Sequence, residues 1–367
     1  MTTRLTLLCL AAILVIAVAA GLLLPSPIDP VAYRPAPAPA LTGSFEQNHA
    51  LSRAVRLAEG QISGPEGITV GPDGAVYGGT ENGDIIRVTA TGEQATVDVI
   101  TNTGGRPLGM AFDHEGYLIV ADLPGGLLRV SLEGDIEPLL TEVDGIPLHF
   151  ANDVAVASNG TLYLTESSTR PDLNTGVMES LEARPWGRLI AYHPDTRLAE
   201  VLLESLYFPN GITLSANNDY LLFNETFRYR VQRLWLEGER QGQLEVFADN
   251  LPGFPDGISR SPQGGYWLTL VAPRSGLLDQ LHPYPWAKKL LARIPETLVP
   301  EPPRYGFILA LDTTGAVIAN LQDPTSERIF AASSVEEYND HLYIGTLTGN
   351  WIGRYPLREG TTEHHAP

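Results

Sequence analysis

From about Phe45 to Arg358 the apolar residues come in short runs, separated by clusters of Gly, Asn, Asp and Pro. That texture predicts strands joined by tight turns, not long helices. One unit reads Ile68-Thr69-Val70, a turn at Gly71-Pro72-Asp73-Gly74, then Ala75-Val76-Tyr77 and Ile85-Ile86-Arg87-Val88. A second runs Met110-Ala111-Phe112, Asp113-His114-Glu115-Gly116, Tyr117-Leu118-Ile119-Val120 and Leu127-Leu128-Arg129-Val130. Further copies lead from Val154 to Leu162-Tyr163-Leu164, from Ile212 to Tyr220-Leu221-Leu222-Phe223, and from Ile258 to Tyr266-Trp267-Leu268. A sixth is degenerate near Ser333-Ser334-Val335 and recovers at Leu342-Tyr343-Ile344-Gly345.

Five copies open on one four-residue phrase: Pro65-Glu66-Gly67-Ile68, Pro107-Leu108-Gly109-Met110, Ala151-Asn152-Asp153-Val154, Pro209-Asn210-Gly211-Ile212 and Pro255-Asp256-Gly257-Ile258. The interval, roughly 42 to 58 residues, is that of propeller blades. The expected fold is therefore all-β, a six-bladed β-propeller over 45–358 with short helical insertions. Ala54-Val55-Arg56-Leu57 is placed to complete the last blade. Two excursions break the period. Arg170 to Arg184 predicts one helix over 176–183, and Pro273 to Tyr305 contains the helical pattern Trp286 to Arg293. Long insertions of this kind are often lids or binding loops, so the second is expected to cover the channel mouth or touch a membrane.

Ahead of the repeats, Leu5 to Leu24 carries no charge and is long enough to cross a bilayer. Arg4 precedes it and Asp29 is the first charge after it, which places the bulk of the chain on the non-cytoplasmic side. The expectation is an anchor over 1–24, with a signal peptide cleaved after Ala17-Val18-Ala19 as the rival. Six prolines between Pro25 and Leu41 predict a stiff linker over 25–44, and 359–367 reads as a flexible tail. The single cysteine, Cys9, lies in the apolar run, so the folded part has no disulfide or thiolate metal site. A net charge of −19 argues against a nucleic-acid partner.

Down the second position of the phrase stand Glu66, Leu108, Asn152, Asn210 and Asp256. Equivalent positions of a radial repeat gather around its axis, so four oxygen-bearing side chains should meet in the channel. Two carboxylates confined there repel each other unless a cation or protons intervene. Carboxylate and amide oxygens suit a hard cation, Ca2+ first and another divalent ion second, and the absence of imidazole and thiolate disfavours zinc and copper. A water-filled polar channel accounts for the same residues without an ion.

The stretches Gly187-Arg188-Leu189, Leu206-Tyr207-Phe208-Pro209-Asn210-Gly211-Ile212, Asn224-Glu225-Thr226, Phe254-Pro255-Asp256-Gly257-Ile258 and Gly264-Gly265-Tyr266-Trp267 resemble strictosidine synthase-like proteins across the whole head. The anchor, Ser26-Pro27-Ile28-Asp29-Pro30 and the Leu342-Tyr343-Ile344-Gly345 ending resemble the adipocyte plasma membrane-associated subgroup. The resemblance implies kinship with gluconolactonases and paraoxonases, calcium-dependent six-bladed propellers. It implies Glu66, Asn210 and Asp256 as calcium ligands, with Asn152 a fourth ligand or a substrate contact. The catalytic Glu of the amine–aldehyde condensing synthases falls at Ser333 here, which argues against that reaction.

What remains is hydrolysis of a small ester or lactone, with Asp256, Asn152 and His149 as candidate catalytic residues. Calcium would polarise the carbonyl, and Asp256 or His149 would accept the proton of water. A non-catalytic, calcium-stabilised binding or scaffold propeller is the competing expectation. No Gly-x-Ser-x-Gly elbow supports a serine hydrolase.

Overall fold

The computed structural model describes residues 6, 25–171, 176–295, 298 and 302–358. The anchor expected within 1–24 (residue 6 apart) and the tail 359–367 lie outside the described residues. Among the described residues no helix is long and apolar enough to cross a membrane.

Six four-stranded antiparallel sheets form the described head, beside a two-stranded ribbon. Their innermost strands are Ile68–Val70, Arg106–Phe112, Ala151–Val156, Pro209–Leu214, Gly253–Arg260 and Ala332–Tyr338. Each inner strand packs beside the next and the first packs beside the sixth, so the ring closes as a six-bladed propeller. The last blade takes its outer strand from the N-terminal side: Val55–Leu57 pairs antiparallel with Ile352–Pro356, Leu57 opposite Ile352.

The hydrophobic pattern explains the radial layout. A second strand of a blade is covered on both faces, so it reads as a continuous apolar run. In Leu118-Ile119-Val120-Ala121, Leu118 and Val120 pack with Tyr77 and Ile85 of the preceding blade, whereas Ile119 and Ala121 pack with Val154 and Leu164 of the following one. Tyr220-Leu221-Leu222-Phe223 divides its alternate side chains between its two neighbours in the same way. Outer strands face water, and Gln94–Asn102 has no buried residue.

The inserted segments group with the proline-rich stretch as a second compact unit, drawn from 1–36, 172–184 and 275–302. It contains helices Gly176–Glu182 and Pro285–Leu291, near the predicted positions, and a further helix Gly276–Leu281 that the pattern did not predict. The stretch 25–36 has no regular structure, as a proline-rich linker should, yet it is not a free spacer. Ile28 is buried, and the N–H groups of Asp29, Val31 and Tyr33 donate to Glu182 Oε1, the Glu182 carbonyl and the His282 carbonyl. The reason is geometric: an extended segment presents alternate N–H groups on one side, and all three find acceptors on the insertions.

Candidate metal-binding active site

Each phrase sits at the hub end of an inner strand, where backbone crowding dictates the residue types. A methyl group at Gly67 would lie 1.8 Å from the Leu108 carbonyl oxygen, and one at Gly211 would lie 2.4 Å from that of Asp256. The glycine is thus the point where neighbouring blades touch. Five inner strands also shift register at the phrase, between Pro107 and Met110, Ala151 and Asp153, Pro209 and Ile212, Pro255 and Ile258, and Ala332 and Val335. A bulge of this kind re-aims a side chain, here the second residue of the phrase.

Polar groups on the second strand of each blade hold the next phrase in place. Thr165 Oγ1 donates to the Asn210 carbonyl and Ser167 Oγ to the Pro209 carbonyl, both at 2.7 Å. One blade on, Asn224 Nδ2 donates to the Asp256 carbonyl at 2.5 Å and Thr226 Oγ1 to the Pro255 carbonyl at 2.7 Å. Ser333 and Ser334 close the series by donating to the Glu66 carbonyl at 2.7 and 2.6 Å. Glu225 is structural: it accepts from the Tyr207 N–H, Arg230 Nε and Gln232 Nε2.

Glu66, Asn152, Asn210 and Asp256 line one cavity of about 310 Å³. Asp256 and Asn210 are buried, and the Asn210 side chain hydrogen-bonds the Asp256 carboxylate. Burial first, and then the charge of Glu66, hold the Asp256 carboxyl well above its usual range. Burial also raises Glu66, against the opposing pull of Arg106, whose Nη2 lies 2.6 Å from Glu66 Oε2. Asn152 Nδ2 donates to Ser167 Oγ at 2.8 Å. Because Ser167 spends its own proton on Pro209, it must accept from Asn152, which fixes the amide with Nδ2 towards the serine.

Donor chemistry tests the fit of a cation. Among the described residues no three His, Cys, Asp or Glu side chains gather closely enough to hold a metal alone. An ion here would rely on two carboxylates and amide oxygens, the mixed oxygen set of a hard cation. The desolvated Glu66–Asp256 pair, only partly offset by Arg106, fits that demand for positive charge.

The remaining candidates sort themselves by place. His149 is not among the cavity-lining residues; its backbone N–H donates to Glu166 Oε1. Ser333 occupies the sixth equivalent position and brings no carboxylate there. Glu336 lines the cavity further along its strand, while the adjacent Glu337 faces the other way and accepts from Trp267 Nε1 and Ser261 Oγ. Burial pushes Asp153 and Glu336 each up to about 7.

Arg106 and an aromatic row escaped the sequence reading. Phe150, Phe208 and Phe254 each stand two residues before Asn152, Asn210 and Asp256. Phe150 meets Phe208 at 5.3 Å between ring centroids, Phe208 meets Phe227 at 4.6 Å, and Phe227 meets Phe254 at 6.4 Å. The readable signal was a second repeated column, Phe-x-Asn or Phe-x-Asp.

Ring and hub together define a six-bladed β-propeller whose inner strands bring polar side chains into one cavity. A gluconolactonase from Xanthomonas campestris superposes with a TM-score of 0.62 at 16% identity, over 92% of this chain and 99% of that one. A calcium-binding regucalcin from Agrobacterium tumefaciens gives 0.56 at 16% identity, over 84% and 93%. The strictosidine synthase family profile matches residues 152–239, and the strictosidine synthase-like N-terminal profile matches 43–88. The adipocyte plasma membrane-associated protein of Bos taurus is 34% identical over 379 residues, spanning 96% of this chain and 91% of the relative. The chain belongs to the strictosidine synthase-like family.

Proposed function

We propose that this protein is a membrane-tethered, calcium-dependent hydrolase of esters or lactones whose propeller lies outside the cytoplasm. The observation that carries the reading is the pairing of Glu66 with Asp256 at the hub, where burial and mutual repulsion favour a bound cation. Glu66, Asn210 and Asp256, with the Asn152 amide, would hold Ca2+, which supplies Lewis-acid polarisation of the substrate carbonyl. Two of the fold relatives, a gluconolactonase and a calcium-binding regucalcin, are in keeping with this.

The chain's own residues then have distinct tasks. Arg106 fixes Glu66, and Asn210 orients Asp256. Ser167 fixes the Asn152 amide. Phe150, Phe208 and Phe254, each two residues before its phrase's polar side chain, pack with Phe227 in an aromatic row behind those phrases. Water adds to the carbonyl carbon and gives its proton to an Asp256 carboxylate oxygen; the acyl–oxygen bond breaks, and the departing alkoxide takes up that proton. With His149 outside the cavity lining, proton acceptance rests on Asp256.

Aryl acetates and small lactones, assayed with and without chelator, test this together with calcium titration by calorimetry. Chelation and Asp256→Asn should each lower turnover about 100-fold or more while the circular dichroism of the fold persists. Calcium binding without turnover on any ester or lactone would favour the scaffold reading. No calcium binding would sink both.

A further inference from the structure

The compact unit drawn from the proline-rich stretch and the two insertions carries large apolar side chains that its own packing leaves exposed. Fourteen large apolar side chains are exposed among the described residues. Five of them, Leu277, Tyr284, Trp286, Ile294 and Leu298, fall within 277–298, and Tyr284 and Trp286 are the two aromatic ones. Trp286 is 55% exposed and Leu298 71%. The other nine are aliphatic, with Val177 on the helix Gly176–Glu182 of the same unit and the rest spread over strands and loops of the propeller, the ordinary condition of a soluble surface. Tryptophan and tyrosine with leucine and isoleucine, on and beside two short helices and in the company of Lys289 and Arg293, match the chemistry of a bilayer interface.

Chain continuity says what covers this surface. Pro25 is the first residue after the twenty uncharged residues Leu5 to Leu24. Its carbonyl accepts from Arg293 Nη2 at 2.9 Å, and Lys288 Nζ donates to the Val31 carbonyl at 2.6 Å. The segment that begins at Pro25 is therefore hydrogen-bonded to the helix that bears Trp286, through Lys288, and to the turn that follows it, through Arg293.

We propose that this unit is a seat on the lipid bilayer, with Leu277, Tyr284, Trp286, Ile294 and Leu298 at the boundary between headgroups and acyl chains. The inference rests on the membrane-associated reading, in which Leu5 to Leu24 supplies a separate hold on the same bilayer. The seat gives the chain a second hold on the membrane, where a substrate dissolved in or adsorbed to the bilayer is concentrated.

Trp286 supplies its own probe. Of the five tryptophans, Trp235, Trp267 and Trp351 are buried and Trp186 is half-buried. The full chain is reconstituted in phosphatidylcholine vesicles whose acyl chains are brominated either near the headgroup or near the chain end. The Trp286 contribution, wild type minus Trp286→Phe, should fall about twofold or more with shallow bromine and less with deep bromine. Alkaline carbonate extraction of the same vesicles reads the anchor separately. A chain that resists extraction but shows no Trp286 quenching overturns the seat and leaves the anchor standing, and a second copy or another protein segment over the patch gives that same result. Quenching of Trp286 in a chain that carbonate removes supports the seat and overturns the anchor. Extraction without quenching overturns both.

Discussion

Glu336 shows how a single buried carboxyl sets a pH dependence here. Burial first, then the charges of Asp153 and Glu337, raise it from 4.5 to about 7, with Arg260 opposing. A group whose folded pKa is raised binds its proton more tightly in the folded state. The stability it allows is complete below pH 4.5 and declines as the pH rises through about 7, after which the cost is constant. In chelator, Glu336→Gln should raise stability at pH 8 by about 1 to 2 kcal/mol, discounted for a partly wet channel, and change little at pH 4. Urea titrations at the two pH values check this; equal effects at both would remove Glu336 from the pH response. The cavity residues differ in how far the sequence announced them. Glu66, Asn152, Asn210 and Asp256 were legible because one position of a repeat held them all. Arg106 was not, since it lies just outside its phrase and its partner Glu66 belongs to another blade.

At the scale of the strand, the phrase is a junction between blades and a holder of side chains at once. Its glycine admits the neighbouring backbone, and its carbonyls are gripped by Thr165, Ser167, Asn224 and Thr226 from the preceding blade. Gly67→Ala forces Cβ against the Leu108 carbonyl, where no side chain can swing aside. The expected cost is about 1 to 3 kcal/mol, with weaker cation binding because Glu66 is the adjacent residue. Thermal melting and calorimetry read the two effects, and an unchanged melting temperature would mean that the blades separate freely at this point. The strands themselves were readable from alternation and turn chemistry. Helix Gly276–Leu281 was not, although Ser275 caps it by accepting from the Leu278 N–H at 3.2 Å. Six residues are too few to establish a helical period, so a lone cap was the sole local signal.

For the whole molecule, the closing strand decides whether six sheets behave as one cooperative body. Each blade buries its faces on two neighbours, so opening the ring at any junction exposes two apolar faces at once. The junction most distant in sequence is the last blade, where Val55–Leu57 completes a sheet otherwise formed by 332–356. Leu57 is 0% exposed and stands opposite Ile352, which is equally buried and packs with Ile68, Val76 and Ile86 of the first blade. Leu57→Ala should therefore cost about 2 to 4 kcal/mol, part transfer and part cavity. Val99→Ala, on an outer strand at 60% exposure, should stay within about 0.5 kcal/mol. Urea unfolding of both variants, followed by tryptophan fluorescence and by backbone dichroism, makes the comparison. Coincident transitions shifted only in Leu57→Ala are the expected result. If the two variants proved equally stable, or if Leu57→Ala separated the two probes, ring closure by the N-terminal strand would not be what binds the blades into one cooperative unit.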